Sequence, residues 1–326
     1  MIIITVMSPK IGFPITGRAP LRTLAVAVAA GAALAVGACS SGTTGSSTTS
    51  AHKIVAIGAE NEYTSVLQQV GGQYVQASAI MSNPNTDPHT FEASASVARE
   101  ISSAQLVVQN GVGYDTFMNS IEKAVPDSSR KVIDVQNLLG KPDSTPNPHL
   151  WYDPATMPAV ATAIASDLAA IQPAHAAYFK ANARKFVSSL GPWIQALGSF
   201  KQKYPNTPVA VTEPVADYLL QAAGADIRTP FEFQADIMNG TDPSAQDVAL
   251  ERSLFTGHKV KVFLYNQQVT DTLTQSFIAL AQQNGIPVVG VYETMPTPGY
   301  TYQSWMLAET RALEQAVTSK KSTEKL

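Results

Sequence analysis

Two short motifs place a histidine behind a proline and a small acid or amide: Asp87, Pro88, His89 and Asn147, Pro148, His149. The chain has only five histidines in 326 residues, so the same pattern repeated sixty positions apart suggests one chemical job done by both. That job is metal ligation. Two glutamates stand in comparable settings: Glu213 follows the apolar run 209–212 and precedes Pro214, and Glu293 follows the run 288–292 with Pro296 and Pro298 behind it. A divalent cation bound without water needs about four to six donors held rigidly, and proline restricts the backbone that carries them. Singly, a loop histidine or a glutamate reads as a solvated side chain. Together, His89, His149, Glu213 and Glu293 form a candidate set of two imidazoles and two carboxylates. His52, His175 and His258 have no such setting and read as exposed.

The elements around these residues decide whether they can meet. Short apolar runs at 53–58, 75–80, 106–109 and 131–134 alternate with helical patterns at 63–70 and 97–103, which predicts a parallel sheet covered on both faces. The alternation resumes at 209–212, 260–265 and 288–292, with a helix to Ala223 and another to Asn284 between them. In open α/β sheets ligands sit beyond the carboxyl ends of the strands, where Glu213 and Glu293 fall directly and His89 and His149 fall in following loops. Between the two blocks, a helix from Asp153, Pro154 to about Ile171 is followed by Phe179, Phe186, Leu190, Trp193, Leu197, Phe200 and Tyr204 at helical spacings. Roughly thirty residues at 1.5 Å each span about 45 Å, enough to pack on both lobes. Pro192 lacks the N–H that would bond the Ser188 carbonyl, so a kink is expected at Gly191, Pro192.

The N-terminus reads as an export signal. Lys10, Arg18 and Arg22 precede an apolar stretch, 24–36, that is too short to span a bilayer comfortably and ends in Val36, Gly37, Ala38, Cys39. Cys39 is the only cysteine, which excludes an internal disulfide. The motif resembles a bacterial lipobox, with Cys39 as the acceptor of a diacylglycerol anchor. A Ser/Gly/Thr stretch then reads as a flexible tether. Removing the three cations of the leader leaves 19 Lys plus Arg against 25 Asp plus Glu, a formal −6. An acidic chain without a Lys/Arg cluster argues against a nucleic-acid role. The expected organisation is a signal peptide over 1–39, a tether over 40–52, an N-terminal lobe over 53–172, a linking helix over 173–204 and a C-terminal lobe over 205–326.

With these motifs in view, the sequence resembles the metal-specific solute-binding lipoproteins of bacterial ABC importers, the zinc- and manganese-binding cluster, over about residues 53–318. The resemblance is carried by Asp87, Pro88, His89, Phe91, Glu92; by Asn110, Gly111, Gly113, Tyr114; by Asn147 through Pro154; and by Glu213 ahead of Tyr218 and Gly224. It implies an α/β fold of two lobes, each a parallel β-sheet flanked by helices, joined by one long rigid helix, with the metal site in the interlobe cleft. In such proteins the first two ligands are histidines, matched by His89 and His149. The third is histidine in most zinc importers and glutamate in many manganese ones, matched by Glu213. The fourth is usually aspartate and sometimes glutamate; Glu293 stands within a residue of that place, although Thr294, Met295, Pro296 depart from the commoner pattern. The histidine-rich loop of many zinc members is absent.

The resemblance implies capture of one divalent ion, Mn²⁺ or Zn²⁺ with Fe²⁺ also admitted, and its delivery to an ABC permease and ATPase subunit. The protein would be a monomer and not an enzyme, held by its lipid on the outer side of the cytoplasmic membrane. Carboxylate oxygens opposite imidazoles favour the harder Mn²⁺ narrowly, whereas the general affinity order favours Zn²⁺. Imidazole must be neutral to coordinate, so affinity should fall below about pH 6.5. Two other readings compete: a metal-dependent hydrolase, and a surface adhesin that shares the fold. Against the first, the chain has no His, Glu, x, x, His helix, and a fourth protein donor would close the position a substrate water needs.

Overall fold

The computed structural model describes residues 52–326 apart from 86, 87, 89, 90 and 297. The leader with Cys39, all of the tether before His52, and His89 therefore lie outside the described residues. Residues Ser50–Leu326 form one compact unit.

Two four-stranded, wholly parallel sheets organise it. The first contains β1 (Ile54–Glu60), β2 (Val75–Met81), β3 (Leu106–Gln109) and β4 (Lys131–Asp134) in the order β2-β1-β3-β4. The second contains β5 (Pro208–Val211), β6 (Asp226–Ile227), β7 (Val262–Asn266) and β8 (Val288–Val291) in the order β6-β5-β7-β8. The strand interiors are apolar runs because both faces are covered by helices; β3, β7 and β8 are buried along their whole length. Strand succession reverses between β1 and β3 in one sheet and between β5 and β7 in the other, and a crevice opens beyond the carboxyl ends at such a point. The residues that follow or end these four strands are Asn61, Asn110, Thr212 with Glu213, and Asn266.

The predicted linking helix is a helical run divided in two, Ala176–Ser189 and Gly191–Lys203, entered through a 3₁₀ turn at Pro173–His175. The division falls at Leu190, whose backbone stays helical (φ −75°, ψ −12°), directly before the Gly191, Pro192 step at which the kink was expected. Phe179, Phe186, Leu190, Trp193, Leu197 and Phe200 are all buried, as the stripe predicted, in a core that also holds Ile54 and Leu106 of the first sheet and Val209, Val262 and Val289 of the second. A wide rotation of one lobe would have to tear this shared core, so the fold permits small tilts only.

Several features depart from the sequence reading. His175 is half-buried rather than exposed, because its ring stacks on Tyr74 at 3.7 Å with a 14° interplanar angle. A helix at Tyr302–Ser319, opened by a capping box between Thr301 and Ser304, was not predicted. It buries Trp305, Met306 and Leu313, and receives the Trp193 indole N–H on the Thr310 hydroxyl at 3.1 Å. Among the described residues, no helix is long and apolar enough to cross a membrane.

Candidate metal centre

His149 is held by its own motif. The side-chain oxygen of Asn147 accepts the His149 backbone N–H at 3.0 Å and lies 2.8 Å from Nδ1, while the Asn147 amide group donates to the Pro214 carbonyl at 2.7 Å. The amide NH₂ must face Pro214, so its oxygen faces the ring and Nδ1 carries the proton. The acceptor lone pair is then on Nε2. That atom lies 3.4 Å from Oε2 of Glu293, both side chains being fully buried. Tyr114 and Trp151 wall the imidazole edge-on, with ring centroids 5.8 and 5.4 Å away.

The two glutamates come from the second sheet. Glu213 leaves β5 and Glu293 leaves β8, and Asn266, the last residue of β7 between them, ties them together. Its side-chain amide donates to Glu213 Oε2 at 3.2 Å and to Glu293 Oε1 at 2.5 Å. The Asn266 side-chain oxygen meanwhile accepts the Gln268 N–H at 2.9 Å, which fixes the direction of the amide. The remaining oxygen of Glu293 accepts the Tyr114 hydroxyl at 2.9 Å, and the Gln268 side chain accepts the Glu293 and Thr294 backbone N–H groups at 2.7 and 2.9 Å. Burial, then the neighbouring Glu293, holds the Tyr114 phenol well above its ordinary range, so it stays a donor.

The structure thus brings together His149, Glu213 and Glu293 of the four residues expected to bind metal. His89 lies outside the described residues, and among those described no group of three or more His, Cys, Asp or Glu side chains is placed to hold a metal ion. The three are linked in a buried chain, Glu213 to Asn266 to Glu293 to His149, and one imidazole with two carboxylates is a donor set of the kind a divalent transition metal takes.

Sequence reasoning missed the amides and the inner acids. Asn110, after β3, donates from its side chain to the Pro148 carbonyl at 2.8 Å and accepts the Tyr63 hydroxyl at 2.6 Å, which seats the loop carrying His149. Gly111 beside it needs φ +79°, and a Cβ there would meet the Gln136 Cβ at 2.7 Å, so glycine is required. Beneath this loop Glu60 and Glu62 are fully buried, and their carboxyl oxygens have no hydrogen-bond partner among the described residues. Burial raises both well above the carboxylate range, and it pushes Asp115 up to about 6 against the backbone N–H groups of Gly111 and Asn110. Two sequence signals point to these residues: Asn110 belongs to the Asn110, Gly111, Gly113, Tyr114 motif, and Glu60 and Asn110 stand at the carboxyl ends of β1 and β3.

Comparison with known proteins agrees with this architecture. The sequence profile of the family described as zinc-uptake complex component A, periplasmic (ZnuA), matches residues 59–316. The manganese-binding lipoprotein MntA of Bacillus subtilis (strain 168) is 20% identical over 231 residues, covering 67% of this chain and 72% of that protein. Among solved structures, the periplasmic zinc-binding protein TroA from Treponema pallidum superimposes with a TM-score of 0.69 at 16% identity, over 82% of this chain and 99% of TroA. The solute-binding protein FpvC from Pseudomonas aeruginosa in complex with Mn²⁺ gives 0.68 at 19% identity, over 82% and 99% of the two chains.

Proposed function

The chain belongs to the ZnuA family of periplasmic zinc-uptake components, and from that membership we propose that it captures one divalent transition-metal ion outside the cytoplasmic membrane and passes it to an ABC permease with its ATPase subunit. The ligands in this reading are His149, Glu213, Glu293 and His89. The observation that carries it is the approach of an Nε2 lone pair to within 3.4 Å of the Glu293 carboxylate, both fully buried, with Glu213 tied to Glu293 through one amide. Buried carboxylates facing an imidazole are costly unless a cation or proton joins them, and a divalent ion neutralises two carboxylates at once.

The ion is Mn²⁺ or Zn²⁺. Carboxylate oxygens match Mn²⁺ and Fe²⁺ in hardness, while the order of intrinsic affinities places Zn²⁺ above both. Members of this family are solute-binding proteins rather than enzymes, so binding without turnover is expected. The proposal extends to an anchor at Cys39, in likeness to the lipoprotein MntA, and to action as a monomer.

Metal content and binding isotherms for Mn²⁺, Zn²⁺ and Fe²⁺ on the purified protein test the reading. Submicromolar binding at one ion per chain is expected. Binding no tighter than micromolar for all three, or binding that survives alanine at both His89 and His149, refutes it. Labelling with a radioactive fatty acid, lost in Cys39→Ala, tests the anchor separately.

A further inference from the structure

The first helix of the chain, Asn61–Gly71, faces the segment that leaves Glu293 along a single polar stripe. Asn61, Ser65 and Gln69 are spaced by four residues, so they share one helical face. Each bonds to residues more than two hundred positions away. The Asn61 side chain donates to the Met295 carbonyl at 2.8 Å and accepts the Met295 N–H at 2.9 Å, as a neighbouring strand would. Ser65 accepts the Tyr302 N–H at 3.2 Å, and Gln69 and Gln303 exchange amide hydrogen bonds at 3.1 and 2.7 Å.

The two ends of this seam differ. At the Tyr302 end the ring is packed against Trp193 and Phe186, at 5.9 and 6.3 Å, and its hydroxyl donates to the Trp151 carbonyl at 2.6 Å. That end is fixed by aromatic core. At the Met295 end Asn61 clasps the peptide, the buried Glu62 carboxyl lies beside the same backbone, and a cavity of about 330 Å³ lined by Asn61, Ser65, Gln69, Met295 and Tyr300 runs along the seam. Only Thr294 separates Met295 from Glu293. The Glu293 backbone is therefore positioned from its own lobe by Gln268 and from the other lobe by Asn61.

We propose that Asn61 is a positioning residue for the metal site, which by clasping the Met295 peptide holds Glu293 on the ion and sets the rate at which the ion leaves. The proposal rests on the metal-binding reading given above. It assigns release to loss of one side-chain clasp at the Met295 end of the seam, which a shared core resisting wide lobe rotation would otherwise obstruct. Asn61 is 6% exposed and touches none of the four proposed ligands among the contacts described, so its effect must pass through the backbone.

The test compares Asn61→Ala with the wild type in two measurements. Stopped-flow release of Mn²⁺ or Zn²⁺ into excess chelator should be roughly tenfold faster in the variant, since two hydrogen bonds are lost, with the association rate unchanged. Amide hydrogen exchange should show the Met295 N–H protected in the wild type and exposed in the variant, while the Tyr302 N–H stays protected in both. An unchanged release rate overturns the proposal, as does a parallel fall in association, release and metal-free melting temperature, which marks a merely structural residue. A wild type that binds neither ion refutes the transport reading and with it any role in release; the exchange data then still report whether the clasp exists. Met295 exchange that is the same in both proteins refutes the clasp whatever the metal does.

Discussion

Glu309 offers a quantitative test of the fold's electrostatics. It lies on the helix Tyr302–Ser319, 3% exposed, and burial pushes its carboxyl up to about 8 although Tyr152 and Trp305 pull it back. Geometry gives the same direction independently. The Tyr152 hydroxyl lies 2.7 Å from the Tyr292 carbonyl and 2.9 Å from Glu309 Oε1, yet a phenol has one proton and a carbonyl can only accept. A neutral Glu309 relieves the conflict by bringing a proton of its own. Below about pH 4.5 both folded and unfolded chains hold that proton, and the group adds no pH dependence. Between there and about pH 8 the unfolded chain loses it while the folded chain keeps it, so stability falls as pH rises, by about 1.4 kcal/mol per pH unit. By pH 7 the loss from this one group is about 3 kcal/mol. Glu309→Gln cannot ionise, so its stability relative to the wild type should rise by about that amount between pH 4.5 and pH 7. Urea unfolding of the metal-free proteins at several pH values measures the difference, in which contributions from the other buried acids cancel. A difference that stays constant to within about 0.5 kcal/mol across the range would refute the argument.

Asn147→Ala removes the acceptor that fixes the His149 tautomer, and metal affinity should fall about 10- to 100-fold by competition titration. Asn266→Lys places a fixed cation between Glu213 and Glu293; divalent binding should be abolished in calorimetry while the metal-free protein still melts cooperatively. Trp193→Ala opens the core where the linking helix meets the last helix and should cost about 3–5 kcal/mol in urea unfolding, a range set by large-to-small core substitutions.

β3 was legible because burial on two faces demands a continuous apolar run, and both β3 and the largely exposed β4 begin and end where the sequence placed them. What the sequence concealed was structure that apolar pattern does not encode. β6 is two residues, Asp226–Ile227, both only half-buried, and pairs with β5 through Pro208 and Val209 alone. The helix Tyr302–Ser319 interrupts its own stripe with Glu309 and Thr310, buried polar residues whose partners, Tyr152 and Trp193, lie more than a hundred positions away. The same holds at the candidate site. His149, Glu213 and Glu293 stand out through residue type and flanking proline, whereas the roles of Asn61 and Asn266, at the start of a helix and the end of a strand, show only once their partners far along the chain are in place.

The chemistry of those amides explains their choice. A site for a divalent ion must hold two carboxylates close together without cancelling the charge the ion requires. Lysine or arginine would orient Glu213 and Glu293 well but would satisfy them permanently. The Asn266 amide donates a hydrogen bond to each while adding no charge, and the Tyr114 phenol, held neutral by burial, does the same for the second oxygen of Glu293. The same burial raises the Glu60 and Glu62 carboxyls well above their ordinary range, which disfavours a second negative centre there. Neutral hydrogen bonds to carboxylates are weaker than the ion's own bonds, so the metal can displace them on entry and they can re-form behind it on release.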